Sequence, residues 1–159
     1  MSRTTFSGPV KSGTNRYSPY KNVGTTLLTQ STAFAFTAAG TTTNTFYIPA
    51  GSKILEIFFD TTSAFTGGTG AVTVGNVASG TQYASSTTVT TGGRTTPTFT
   101  AAQLTNMLST PTDIAAANSQ QATSAIAVTA VAGTGVTAGS LVVSITYSQT
   151  DDRSAYNTQ

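Results

Sequence analysis

The chain contains no histidine, no cysteine and no tryptophan, and only 8% of its 159 residues are charged. Each absence removes a class of chemistry. Without His or Cys there is no imidazole base, thiolate nucleophile or zinc-ligand set, so Ser-His, Cys-His and zinc-hydrolase designs are excluded. Without Cys there is no disulfide, which fits a chain made in a reducing cytoplasm. Long apolar runs are also missing: Ile54 to Phe59 and Ala125 to Ala132 are interrupted by Glu56 or Thr129. Both fall far short of the ~20 residues a helix needs to cross a bilayer, so no membrane span is expected. Residues Met1 to Thr5 lead into Gly, Pro and Lys rather than an apolar stretch, so no secretory signal is expected either.

What remains is rich in Thr, Ala, Gly and Ser, the composition of a β-rich scaffold whose surface is finished with hydroxyls. At 159 residues and 16.1 kDa the chain fits one domain without a covalent or metal staple. Threonine forms strands without a counter-charge, so a surface made of it packs against identical copies without burying ions. Low charge is a solubility risk for a free monomer, and permanent assembly removes that risk. A homo-oligomer is therefore expected.

The formal charge of +2 is unevenly distributed. Arg3, Lys11, Arg16 and Lys21 lie in a first segment without any acid, whereas Lys53, Arg94 and Arg153 face Glu56, Asp60, Asp113, Asp151 and Asp152 in the rest. Residues 1–24 read as an extended arm: Pro9 and Pro19 forbid a continuous helix, and Gly8, Ser12, Gly13 and Asn15 break any strand pattern. Phe6, Val10, Tyr17 and Tyr20 give the arm apolar anchors that a free, solvated tail would not need. The expectation is an arm that lies on something, with a basic character suited to an acidic surface.

From the arm onward the period is two, the signature of half-buried strands. Phe34 and Phe36 alternate with Ala33 and Ala35; Leu55, Ile57 and Phe59 share a face opposite Ile54, Glu56, Phe58 and Asp60; Val72 and Val74 flank Thr73; Ile126 and Val128 flank Ala127. Leu141, Val143, Ile145 and Tyr147 face one way, and Val142, Ser144, Thr146 and Ser148 the other. Turn chemistry separates the runs: Ile48-Pro49-Ala50-Gly51 suits a type I turn, and Gly67-Gly68-Thr69-Gly70, Gly92-Gly93 and Gly133-Thr134-Gly135 supply loops. Thr100-Ala101-Ala102-Gln103 is a capping box that predicts one short helix, with Leu104, Met107 and Leu108 on its apolar face and Pro111 as its stop. The pattern predicts an all-β sandwich over residues 25–148, followed by a polar tail over 149–159.

Candidate chemistry fails on geometry. A Ser-Lys dyad would need Lys53, but Ser52 points to the opposite strand face. Glu56 and Asp60 share a face, yet four residues at ~3.3 Å separate their backbones by about 13 Å. Glycosidase carboxylates stand roughly 5 to 9.5 Å apart. Asp151-Asp152 lacks the spaced oxygens of a calcium loop, and Gly67 to Gly70 has no following Lys-Ser/Thr to cradle a phosphate. Four cations interleaved with Tyr17 and Tyr20 are weak grounds for nucleic-acid binding. The expectation is a non-enzymatic protein with no cofactor, no metal and no nucleic acid or membrane partner.

Three segments carry a resemblance: Phe6-Ser7-Gly8-Pro9-Val10-Lys11-Ser12-Gly13, the strand entry Phe46-Tyr47-Ile48-Pro49-Ala50-Gly51-Ser52-Lys53-Ile54, and the closing Val142-Val143-Ser144-Ile145-Thr146-Tyr147. With them the chain resembles the capsid decoration (cement) and head-surface proteins of tailed bacteriophages. The resemblance implies a jelly-roll-like sandwich, a homotrimer assembled in the host cytoplasm, and a place on the capsid surface of the virion with the major capsid protein as partner. Arg3, Phe6, Val10, Lys11, Arg16, Tyr17, Tyr20 and Lys21 are the expected docking residues. A head-fibre or receptor-binding module is the alternative reading, and a cell-wall hydrolase is disfavoured by the carboxylate spacing.

Overall fold

A computed structural model describes residues 26–49, 51–108 and 123–149. The arm over 1–24 and all but the first residue of the tail lie outside these residues. Eight strands and one helix follow in order: β1 Thr26–Phe36, β2 Gly40–Pro49, β3 Lys53–Thr66, β4 Gly70–Gly75, β5 Ala84–Thr88, β6 Gly93–Thr95, α1 Ala101–Met107, β7 Thr123–Ala132 and β8 Ala138–Gln149. They form two four-stranded sheets, ordered β1-β8-β3-β6 and β2-β7-β4-β5. The pairs are nested, with β1 on β8, β2 on β7, β3 on β6 and β4 on β5, all antiparallel. A long hairpin has in effect been rolled up, giving the all-β sandwich that the alternation predicts.

The long strands bury one alternating face against the opposite sheet. Phe34, Phe36, Ile57, Phe59, Leu141, Val143, Ile145 and Tyr147 from one sheet meet Phe46, Ile48, Val72, Val74, Ile126 and Val128 from the other. Fully burying such a side chain contributes roughly 1.5–3 kcal/mol, offset by the entropy of ordering it. The two long outer strands are tied together by side chains: Gln30 Nε2 donates to the Tyr47 carbonyl at 3.1 Å, and Asn44 Nδ2 to Thr32 Oγ1 at 2.7 Å.

Three local expectations are corrected. Leu55 is exposed while Ile54 is buried, because the β3–β8 register shifts between Ile54 and Glu56. One extra residue in a strand reverses the parity of everything before it, so Ile54, not Leu55, joins Ile57 and Phe59 in the core. The turn after β2 is closed one residue later than expected, by the Ser52 N–H on the Pro49 carbonyl at 3.1 Å. Gly51, at the third position, has φ +77°, the conformation of a type II rather than a type I turn. In α1 the capping box forms as predicted, Thr100 Oγ1 accepting from Gln103 N and Gln103 Oε1 from Thr100 N. The buried face, however, is Gln103 and Met107, leaving Leu104 and Leu108 exposed. Gln103 Nε2 donates to the Thr81 carbonyl and to Ser85 Oγ, both at 2.9 Å, and this fixes the rotation of the helix.

At the end of the sandwich where β3 turns into β4, two glycine turns lock together. Gly133 N donates to Thr69 O at 2.8 Å and Thr137 N to Thr66 O at 2.9 Å. Gly67 (φ +81°) and Gly135 (φ +86°) approach so closely that a Cβ on either would collide with the other's carbonyl oxygen. Glycine is required there twice over, by backbone conformation and by contact.

Candidate interaction surface

The eight expected docking residues, Arg3 to Lys21, lie outside the described residues; the strand that follows the arm in the sequence does not. Thr26 begins β1 opposite Gln149, the last residue of β8, so the first strand starts and the last strand ends at one end of the same sheet. Ser148 stands between Leu27 on β1 and Lys53 on β3. Leu27 is 62% exposed, and Leu28 and the bulged Leu55 are exposed at the same end. This end of the sheet is therefore an apolar rim that carries one lysine.

Much of the outer face of this sheet carries small hydroxyl side chains that bond to one another. Thr29 and Thr146 hydroxyls pair at 3.0 Å, Ser31 and Ser144 at 2.8 Å, and Thr62 and Ser140 at 2.8 Å. The first two pairs sit directly opposite each other in the β1–β8 ladder, where cross-strand side chains meet. A hydroxyl already bonded to its neighbour loses less when water is removed than one bonded only to water. Such a face accepts a covering surface at small desolvation cost.

Two of its charges neutralise each other in place. Arg94 on β6 grips Asp60 on β3 with two parallel bonds of 2.8 Å, while its guanidinium lies 4.0 Å from the centre of the Phe58 ring. This fork geometry and the aromatic stacking suit arginine and would not suit lysine. The hydrogen bonds from Arg94 hold the Asp60 carboxyl below its ordinary range, and Asp60 in turn raises Arg94. A general acid needs the opposite shift, so the Asp60 carboxylate, paired and ionised, is unsuited to glycosidic proton donation. Sequence placed Phe58 and Asp60 on one face but gave no local signal for Arg94, which arrives from a strand 34 residues further on.

On the other sheet the outer face carries Thr43, whose hydroxyl pairs with Thr129 at 2.9 Å. The loop after β4 folds over this point, with Ser79 N donating to Thr129 Oγ1 at 2.8 Å. Tyr47, on the same face, is 62% exposed. Among the described residues, no group of three or more His, Cys, Asp or Glu side chains could hold a metal ion, and no helix is long and apolar enough to cross a membrane. The chain matches no family model, no curated protein and no solved structure.

Proposed function

We propose that this chain is a structural virion protein that binds the outer surface of a phage capsid and stabilises it. The observation that carries the reading is a charge-poor, hydroxyl-paired sandwich whose first strand begins at an apolar rim and is preceded in the sequence by a basic, aromatic segment. The nested strand order supports a jelly-roll reading, an architecture used by viral capsid domains and also by lectins, and the fold contributes by analogy alone. In this reading the major capsid protein is the partner and the capsid surface the location. Three copies assemble there, with Thr, Ala and aromatic side chains rather than ion pairs between them.

Docking falls to the arm. Exposed ion pairs contribute about 0 to 1 kcal/mol each, whereas a buried aromatic contributes ~1.5 to 3. Phe6, Val10, Tyr17 and Tyr20 therefore set affinity, and Arg3, Lys11, Arg16 and Lys21 guide the encounter with an acidic shell. The test is co-sedimentation with undecorated shells after deleting residues 1–21, and separately after neutralising the four bases. Deletion is expected to abolish binding with an unchanged strand spectrum, and neutralisation to weaken it mainly at low salt. Full occupancy by the deletion variant would move docking to the sandwich. Binding of the intact chain to bacterial surface glycans, with none to shells, would replace the capsid reading by a receptor-binding one.

A further inference from the structure

From Asn22 to Ser52 the chain carries no charged residue, and this stretch contains the whole of β1 and β2. Both are end strands of their sheets, and the Gln30–Tyr47 and Asn44–Thr32 bonds place them on one side of the sandwich. A bare strand edge is a template for another strand, and proteins ordinarily blunt it by shortness, charge, proline or a bulge. The opposite side uses these devices. It ends in β6, three residues long with Arg94 at its centre, and in β5, five residues long and joined to β4 through a register shift. By contrast, β2 is ten residues long, keeps unbroken register with β7 and has proline only at its last position.

The hydrogen bonds show which backbone groups of β2 face outward. Gln30 reaches the Tyr47 carbonyl from the other sheet, so that carbonyl points away from β7. Alternation then directs the N–H and C=O of Thr41, Thr43 and Thr45 outward as well. The Thr43–Thr129 hydroxyl contact agrees, because side chains approach most closely at positions whose backbone groups point away from the partner strand. Among the described residues, no strand lies beyond β2.

We infer that β2 is a strand-addition edge and that its partner is β2 of a second copy, antiparallel about a two-fold axis at Thr43. This register places Thr43 opposite Thr43 and Thr41 opposite Thr45, and leaves the Tyr47 carbonyl with Gln30. On an edge that meets its own copy, a charge at or beside the two-fold axis is brought close to its like-charged counterpart. Here there is none to repel, and cross-strand threonine pairs are favourable. An uncharged edge also offers no electrostatic selectivity for a foreign strand, whereas self-pairing requires only that it not repel itself. The contact uses neither the arm nor the shell. It closes on two copies, so it is additional to any three-fold assembly and independent of the capsid reading.

The natural absence of cysteine makes the test clean. In Thr43→Cys, two thiols would face each other across the axis at about 5.5 Å between Cα atoms, inside the disulfide range of roughly 4.4–6.8 Å. Thr88→Cys on the short edge strand β5 is the comparison. Under mild oxidation Thr43→Cys is expected to form covalent dimers at least about tenfold faster than Thr88→Cys. Adding Thr45→Lys, the usual edge-blocking charge, should remove that advantage with an unchanged strand spectrum. On the unmodified chain, amide exchange at residues 41, 43 and 45 should slow as concentration rises from about 1 to about 100 µM. Equal dimer rates at positions 43 and 88 would overturn the inference. So would concentration-independent exchange at those three amides, a readout that stands even if the cysteine variant fails to fold.

Discussion

The interlocked glycine turns give the sharpest test of the sandwich geometry. Gly67→Ala imposes two separable penalties, and the fold supplies a position that isolates each. At Gly93 the φ is +120° but nothing lies within 4 Å of an added Cβ, so Gly93→Ala measures backbone conformation alone, about 1–2 kcal/mol. At Gly139, with no such φ, an added Cβ would stand 2.6 Å from Phe65 Cδ1, a ring held in the core near Phe36. Gly139→Ala therefore measures overpacking, about 1–3 kcal/mol. At Gly67 both apply, and the colliding atom is the Gly135 carbonyl oxygen, which cannot rotate aside as a side chain could. The expected loss is about 2–5 kcal/mol, a large share of the roughly 5–15 kcal/mol by which a domain is stable. Urea unfolding, read as a shift in midpoint at constant slope, measures all three. A loss for Gly67→Ala no greater than that for Gly93→Ala would show that the two turns do not meet as described.

Asp60 titrates below its ordinary 3.8 in the folded chain, so its contribution to stability is present above that value and is lost as pH falls through the lower, folded pKa. The stability difference between wild type and Asp60→Asn should therefore be constant near neutrality and shrink in acid, and a pH-independent difference would refute the Arg94 pairing. At the β3 bulge, Ile54→Ala should cost about 2–5 kcal/mol, whereas Leu55→Ala should stay within about 0.5. Equal costs in thermal or urea unfolding would place both residues in the core and remove the bulge.

The sandwich was readable in the sequence because alternation is a local signal: Phe34 and Phe36, Val72 and Val74, and Leu141 to Tyr147 each declare a face within a few residues. Where the reading failed, a local irregularity or a distant partner decided the outcome. Nothing in Lys53-Ile54-Leu55-Glu56 announces the extra residue that turns Leu55 outward, since Ile and Leu are equally apolar. The helix shows the same limit. An apolar stripe of Leu104, Met107 and Leu108 predicts one buried face, but Gln103 already spends its amide on Thr100, Thr81 and Ser85, and those bonds rotate the helix about a polar side chain. Hydrophobic periodicity assumes that burial is driven by apolar area, and a buried glutamine with three hydrogen-bonded partners lies outside that assumption.

The interaction surfaces divide along the same line. Their composition was legible: few charges, many hydroxyls, and the bases gathered into the first segment. Their location was not, because it depends on which strands become neighbours. Nested pairing carries Arg94 across to Asp60 and Phe58, which cancels one pair of charges on an outer face. It also puts β1 and β2, neither of which carries a charge, onto the two long edges of one side, while the short and bulged strands fall on the other. A charge-free run within a paired, central strand would be ordinary core chemistry. The same run on an edge leaves outward N–H and C=O groups with nothing to repel a second strand, and topology alone converts a compositional bias into a surface suited to self-association.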